Sequence, residues 1–123
     1  MIHPKNISEQ EIRQTIEAGE FPAHILNSSR NVAVIATQDW CPEWRNMQRW
    51  VKSEQEDPEP NSPDVDIYLI IYNNTDFQQE FMQLKENTWE NGFIPYVRYY
   101  RNGEFQGDSN GVTSRKFYQR FLH

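Results

Sequence analysis

The sequence has very little cysteine: Cys41 is the only one among its 123 residues. A single cysteine excludes an intrachain disulfide framework, a zinc or iron–sulfur site built from several cysteines, and a dithiol redox cycle within one chain. The three histidines form no pattern of metal ligands, so neither a metal nor a cofactor is expected. The count leaves open whether Cys41 is a reactive thiol or a small buried side chain.

The chain also lacks long apolar runs and an excess of basic residues. Its longest apolar run, Ile67–Tyr72, is far shorter than the roughly 20 residues that cross a bilayer, and Met1–Glu11 lacks the apolar stretch of a secretory signal. The 18 acidic side chains outnumber the 12 basic ones, and the formal charge of -6 argues against a nucleic-acid partner. We therefore expect a cytoplasmic protein that binds neither nucleic acid nor membrane.

Aromatic residues are abundant, at 14% of a chain whose length fits one domain. Each aromatic side chain buries a large apolar area, so the modest aliphatic content still permits a core. We predict a single domain over residues 1–123.

Hydrophobic patterns predict helices and strands in alternation. Ser8 and Glu11 form a capping box for a first helix over Asn6–Gly19, whereas Phe21–Arg30 fits either a short strand or a helical turn. Further strands are predicted at 31–37, 67–72, 93–101 and 104–107, and further helices at 42–52, 76–87 and 113–122. The run 31–37 is apolar and β-branched, which is typical of a strand buried on both faces. This order predicts an α/β fold with helices on both faces of a mixed sheet.

Residues 53–66 are acidic and contain three prolines. Neither a helix nor a central strand tolerates prolines at this spacing, so we predict an exposed acidic, proline-rich loop. A solvated loop is favoured over a functional acidic segment.

Cys41 lies where the first buried strand gives way to a helix that begins at Pro42. Free N–H groups at a helix start favour an anion and thereby lower the pKa of a thiol. Arg45 strengthens this effect, whereas Glu43 opposes it. The junction therefore predicts a nucleophilic thiol, with a buried and inert cysteine as the alternative.

Residues 32–50, with Trp40 followed by Cys41, resemble the strand and active-site helix of the thioredoxin family, which are joined by a Trp-Cys-x-x-Cys motif. Phe93-Ile94-Pro95-Tyr96 resembles the family's Ile-Pro-Thr segment with its cis proline, and Asn102-Gly103-Glu104 resembles its Asn-Gly-Glu hairpin. The resemblance covers roughly residues 31–122. It implies a thioredoxin-like α/β fold of three layers, α/β/α, around a mixed sheet of four to five strands.

Three positions depart from the family pattern. Trp44 stands where the second, resolving cysteine is expected, which makes the motif C-x-x-W. Ile35 aligns with the family's buried acid, and Leu69 lies near the position of its lysine partner. A mixed disulfide on Cys41 therefore has no second thiol in this chain to resolve it.

The resemblance implies that Cys41 is the catalytic nucleophile, with its thiol exposed at the start of the helix. It implies a surrounding substrate-binding surface formed by Trp40, Pro42, Trp44, Ile94 and Pro95. Core packing is favoured for Trp44, whereas docking and packing remain equally open for Trp40. Pro95 is expected to be cis and to place the Ile94 backbone opposite Cys41, where an extended peptide pairs with it.

Two functions remain open. The first is a thiol-disulfide oxidoreductase that uses one cysteine on protein disulfides, including mixed disulfides with a low-molecular-weight thiol. The alternative is a redox-inactive binding or adaptor module that keeps the docking surface after loss of the resolving cysteine.

Overall fold

The computed structural model describes residues 1–122. The strands are β1 (Ile2–Lys5), β2 (Asn31–Thr37), β3 (Val65–Ile71), β4 (Tyr96–Arg101) and β5 (Glu104–Ser109). The helices are α1 (Glu9–Ala18), α2 (Ala23–Leu26), α3 (Pro42–Glu56), α4 (Gln78–Gln83), a π-helical turn (Leu84–Thr88) and α5 (Ser114–Gln119). No helix among the described residues is long and apolar enough to cross a membrane.

The five strands form one mixed sheet in the order β1-β3-β2-β4-β5. Strands β1 and β2 each pair with β3 in parallel, whereas β4 runs antiparallel to β2, and β5 antiparallel to β4. All seven residues of β2 are buried, as predicted for a central strand with helices on both faces. The predicted α/β architecture of three layers is confirmed, with five strands in the sheet.

Alternate side chains of β2 supply two separate apolar cores. Val34 packs on one face with side chains from α1, α2 and α4, while Ile35 packs on the other with side chains from α3 and α5. This alternation follows from the two-residue period of a strand. Cys41 and Trp44 belong to the second core, on the face covered by α3.

Caps fix both ends of α1 and the start of α5. Ser8 and Glu11 form the reciprocal capping box of α1, and Gly19 ends the helix in the left-handed conformation. Because Ser8 is the cap, α1 begins at Glu9 rather than at Asn6. Thr113 caps α5 by accepting a hydrogen bond from the N–H of Lys116.

The N-terminal strand β1 was not predicted. It is only four residues long, and its Pro4 is tolerated because β1 lies at the edge of the sheet. Ile2 is buried and pairs with Val65, a contact between residues far apart in sequence. The ambiguous segment 21–30 contains the helical turn α2.

The boundaries predicted for the acidic loop 53–66 are too wide at both ends. Helix α3 continues to Glu56, because the first proline of the segment, Pro58, comes only after the helix has ended at Asp57. Val65 and Asp66 are buried residues of β3. The acidic, proline-containing connection is therefore residues 57–64.

Two other boundaries also differ from the prediction. The helix predicted over 76–87 is divided into α4 and the π-helical turn, with Phe77, Phe81 and Leu84 buried as expected. Strand β4 begins at Tyr96 rather than Phe93, so the residues around Pro95 form a separate segment before it.

The Asn102-Gly103 turn joins β4 to β5, with φ of 52° at Asn102 and 79° at Gly103. Both values are positive, as a two-residue type I′ hairpin turn requires. A Cβ atom on Gly103 would lie 2.4 Å from Oδ1 of Asn27. Glycine is therefore required here by both the backbone and the neighbouring side chain.

We expect Gly103→Ala to lower the free energy of unfolding by about 1–2 kcal/mol, because alanine adopts a left-handed φ at a cost. Gly92→Ala is the matched control, since a Cβ there meets nothing within 4 Å and should change stability by less than about 0.5 kcal/mol. Urea unfolding of the three proteins measures both effects. Equal stability of the two variants would contradict the role assigned to Gly103.

Candidate functional site

Cys41 is the N-cap residue of α3, immediately beyond the C-terminal end of β2. Its Sγ–H group donates to the carbonyl oxygen of Ile94 at 3.8 Å. Only 4% of the residue is exposed, so the expectation of an exposed thiol at the helix start is wrong. The reason is that Cys41 packs into the core under α3 rather than projecting from the end of the helix.

The segment opposite Cys41 contains a cis peptide bond between Ile94 and Pro95. Pro95 is buried, and Ile94 is partly buried against both cores. The Asn110 side chain donates to the Pro95 carbonyl oxygen at 3.2 Å and exchanges hydrogen bonds of 3.0 and 3.1 Å with the side chain of Asn91. The two asparagines therefore hold the proline segment next to the thiol.

Trp44 is buried one helical turn after Cys41 and contacts the same core. No sulfur atom occupies the place where the family's second cysteine is expected. Core packing, the favoured interpretation for Trp44, agrees with this burial. Pro42 is the first residue of α3 and is exposed, so the missing N–H of proline leaves no buried hydrogen bond unmade.

The two positions that align with the family's buried acid and lysine are neighbours in the sheet. Ile35 of β2 lies beside Leu69 of β3 in the strand register. Ile35 is fully buried, whereas Leu69 is exposed. Because neither side chain is titratable, this pair offers no proton donor or acceptor to the thiol.

Two large aromatic side chains near the thiol are exposed. Trp40 precedes Cys41 and is 57% exposed, and its indole N–H donates to Oε1 of Gln38 at 2.6 Å. Phe93 precedes Ile94 and is 73% exposed. Exposed aromatic rings of this size are common at contact surfaces. Phe93 was not among the predicted site residues, although its place directly before the Ile94-Pro95 motif was a signal.

A buried lysine supports the loop that leads to Pro95. Lys85, in the π-helical turn, is only 2% exposed, and its ammonium group donates to the Asn91 carbonyl oxygen at 2.9 Å. The N–H of Asn91 donates back to the carbonyl oxygen of Lys85. Burial lowers the pKa of Lys85 to about 8, although Glu86 acts in the opposite direction. The burial of Lys85 was not predicted from the sequence, because lysines are seldom buried.

Arg98 of β4 is a second residue that supports the proline segment, and this role was not predicted from the sequence. Its buried guanidinium lies 4.3 Å from the ring centre of Trp89 and donates to the Tyr96 hydroxyl at 2.9 Å and to Glu20 at 3.0 Å. Burial raises the pKa of Tyr96 to about 12, which keeps its hydroxyl protonated. Because Tyr96 follows Pro95 directly, Arg98 stabilises the proline segment from the side facing away from Cys41.

The site contains a thiol, hydrogen-bonding groups and aromatic surface. Within residues 1–122, no group of three His, Cys, Asp or Glu side chains is arranged to hold a metal ion. Of the predicted site residues, the structure places Cys41, Ile94 and Pro95 together, with Trp40 and Trp44 flanking the thiol along the chain. The chemistry available at Cys41 is that of a single thiol.

Comparison with known proteins relates this chain to others through its fold. No protein-family model and no curated protein sequence matches it. Thioredoxin O1 from Arabidopsis thaliana, in the oxidised state, is 16% identical with a TM-score of 0.62, over 94% of this chain and 92% of that one. A putative oxidoreductase with a thioredoxin fold is 18% identical with a TM-score of 0.59, over 97% and 94% of the two chains. A thioredoxin variant from Halobacterium salinarum is 12% identical with a TM-score of 0.61, over 97% and 87%. The chain has the thioredoxin fold.

The buried ammonium group of Lys85 predicts a specific pH dependence. Its folded-state pKa of about 8 lies below the ordinary value of 10.5, so between these pH values the unfolded chain binds more protons. The free energy of unfolding should therefore rise with pH from about 8 upward, by at most about 1.4 kcal/mol per pH unit. Lys85→Met should remove this rise, as measured by urea unfolding at several pH values.

Lys52→Met is the control, because Lys52 is an exposed residue of α3. This variant should keep the wild-type rise. The pH series ends near pH 10. Above that pH, buried tyrosines with raised pKa values, such as Tyr96, destabilise the fold because their hydroxyls ionise more readily in the unfolded chain. An identical pH dependence in Lys85→Met and wild type would contradict the assignment.

Proposed function

We propose that this protein carries out thiol-disulfide exchange with Cys41 as its single nucleophile. The observation that supports this function best is the position of the Cys41 thiol, 3.8 Å from the Ile94 carbonyl oxygen at the start of a 15-residue helix. A helix start favours negative charge, and the adjoining proline segment offers backbone groups to an extended peptide. The thioredoxin fold agrees with this proposal but does not by itself establish an activity.

The proposed reaction has two balanced steps. The Cys41 thiolate attacks the disulfide between a protein thiol and a low-molecular-weight thiol, so that a new sulfur–sulfur bond forms on Cys41 as the old one breaks. The protein thiolate leaves and takes up a proton. A second molecule of the small thiol then attacks the adduct on Cys41, releases the small disulfide and regenerates the Cys41 thiolate. The small thiol is oxidised, and the substrate protein is reduced.

The residues around Cys41 have separate roles in this proposal. Trp40, together with Phe93, offers exposed aromatic surface to a bound polypeptide. Ile94 and Pro95 provide the backbone edge against which the polypeptide lies. Trp44 fills the space where a resolving thiol would otherwise stand, so the adduct on Cys41 persists until an external thiol removes it. Pro42 begins the helix that carries the thiol.

The second candidate is a redox-inactive module that binds a partner through the same surface. The burial of Cys41 and the apolar pair Ile35 and Leu69 favour it, because a thiol with little exposure and no titratable neighbour beneath it reacts slowly. In this alternative, Trp40 and Phe93 contact the partner, and Cys41 contributes only packing.

Intact-mass measurement after incubation with oxidised small thiols separates the two candidates. Thiol-disulfide exchange predicts one adduct per chain on wild type, none on Cys41→Ser, and complete removal of the adduct by the reduced small thiol. Circular dichroism of Cys41→Ser checks that this variant is folded. A native wild-type protein that stays unmodified, while the same protein unfolded in urea is modified, would contradict the proposed function and favour the binding module.

The aromatic surface predicts a difference between large and small substrates. We expect Phe93→Ala to lower the rate of exchange with a peptide disulfide by roughly fivefold or more, because the lost ring area is worth about 1 kcal/mol or more of binding. The rate with a small disulfide should change by less than about twofold. The readout is the second-order rate of adduct formation on Cys41, measured for each substrate.

Leu122→Ala is the matched control, because Leu122 is an exposed apolar residue beyond the end of α5. It should leave both rates at the wild-type value. An equal loss in Phe93→Ala and Leu122→Ala would show that the effect does not come from docking beside Cys41.

A further inference from the structure

A concave surface that Phe93 does not line lies next to the proline segment. It is a cavity of about 260 Å³ between the first turns of α3 and the segment before α5, lined chiefly by Glu43, Asn46, Met47, Trp50, Gly111 and Val112. A Cβ atom on Gly111 would lie 3.8 Å from Cδ of Pro95. The cavity therefore adjoins the proline segment whose Ile94 carbonyl oxygen contacts the Cys41 thiol, and neither the resemblance nor the proposed reaction assigns it a role.

The polar end of this cavity carries an unpaired carboxylate. Glu43 makes no hydrogen bond or ion pair with any of the residues 1–122. Its Oε2 atom lies 2.7 Å from the place where a Cβ of residue 111 would stand, so only glycine leaves the carboxylate in this position. No lysine or arginine lines the cavity. The site is therefore locally acidic within a chain whose formal charge is -6.

The rest of the wall is apolar and fixed. Met47 is buried, and the indole N–H of Trp50 donates to the Val112 carbonyl oxygen at 2.9 Å. Trp50 also packs against Phe117, with ring centres 5.2 Å apart. An apolar wall that ends in a carboxylate suits a side chain with a methylene stem and a cationic head.

We propose that this cavity binds a lysine or arginine side chain of a polypeptide whose disulfide reacts at Cys41. Oε2 of Glu43 lies 2.7 Å, and Cδ of Pro95 3.8 Å, from the place of a Cβ on Gly111, and an extended peptide advances about 3.3 Å per residue. A basic residue one or two positions from the substrate cysteine therefore reaches the carboxylate. This inference rests on the proposed function and specifies its substrate class as basic polypeptides.

The test uses three short peptides in which one cysteine carries a 2-thiopyridyl disulfide, flanked by lysine, alanine or glutamate. Attack by Cys41 on the peptide sulfur forms a Cys41–peptide disulfide and releases pyridine-2-thione, whose absorbance gives the rate. For wild type we expect the lysine peptide to react roughly two- to fivefold faster than the alanine peptide, and the glutamate peptide to react more slowly. Added salt should reduce these differences.

Glu43→Gln should remove the preference for the lysine peptide, and Glu43→Lys should reverse it. Glu56→Gln is the matched control, because Glu56 is exposed at the far end of the same helix, about 20 Å from Glu43, and the charge change is identical. This control should keep the wild-type preference. Equal rates for the three peptides on wild type, or the same response in Glu43→Gln and Glu56→Gln, would overturn the inference while leaving the proposed function standing.

A measurement of reversible peptide binding tests the cavity independently of any thiol reaction at Cys41. Fluorescence anisotropy with peptides in which serine replaces cysteine measures docking on Cys41→Ser without any chemistry. Tighter binding of the lysine peptide, lost in the double variant Cys41→Ser with Glu43→Gln, supports the cavity assignment even when wild type forms no disulfide. Equal binding of the lysine, alanine and glutamate peptides to Cys41→Ser would overturn that assignment.

Discussion

The complete burial of β2 is the constraint on which the rest of the structure depends. A strand with no exposed residue needs a neighbouring strand on each side and a layer of helices on each face. Strands β3 and β4 supply the neighbours, and the two helix layers supply the cover. Because β2 is the central strand, its C-terminal end lies in the middle of one end of the sheet. Helix α3 begins there, with Cys41 as its N-cap residue.

Several buried and hydrogen-bonded side chains hold the proline segment at this edge of the sheet. Arg98 stabilises Tyr96, the residue after Pro95, while the hydrogen-bonded pair Asn91 and Asn110, tied to Lys85, holds the segment itself. The structure thus retains the elements that position a proline segment, and it has apolar side chains where the family has a second thiol and a titratable pair. The result is a surface suited to binding beside one thiol, a combination on which both candidate functions depend.

The parts of the fold that could be predicted depend on local rules. The capping box of Ser8 and Glu11, the Asn102-Gly103 turn and the apolar run of β2 are each determined by residues within one or two turns of chain, and each was found where predicted. The missed parts depend on distant partners. Strand β1 is stabilised by pairing with Val65, and the burial of Lys85 depends on the carbonyl oxygen of Asn91 and the surrounding core. Propensity and hydrophobic period carry no information about such contacts.

The sequence by itself determined the order of the elements from β2 onward, the lone cysteine and the absence of a second thiol, because each of these follows from which residue stands at which position. The tertiary structure alone decided that Cys41 is buried, that Phe93 is exposed, and that Glu43 faces a cavity beside Pro95. Those properties depend on how α3, the proline segment and the turn before α5 pack together. Residues separated by more than 50 positions meet there, and only the closed fold sets the distances between them.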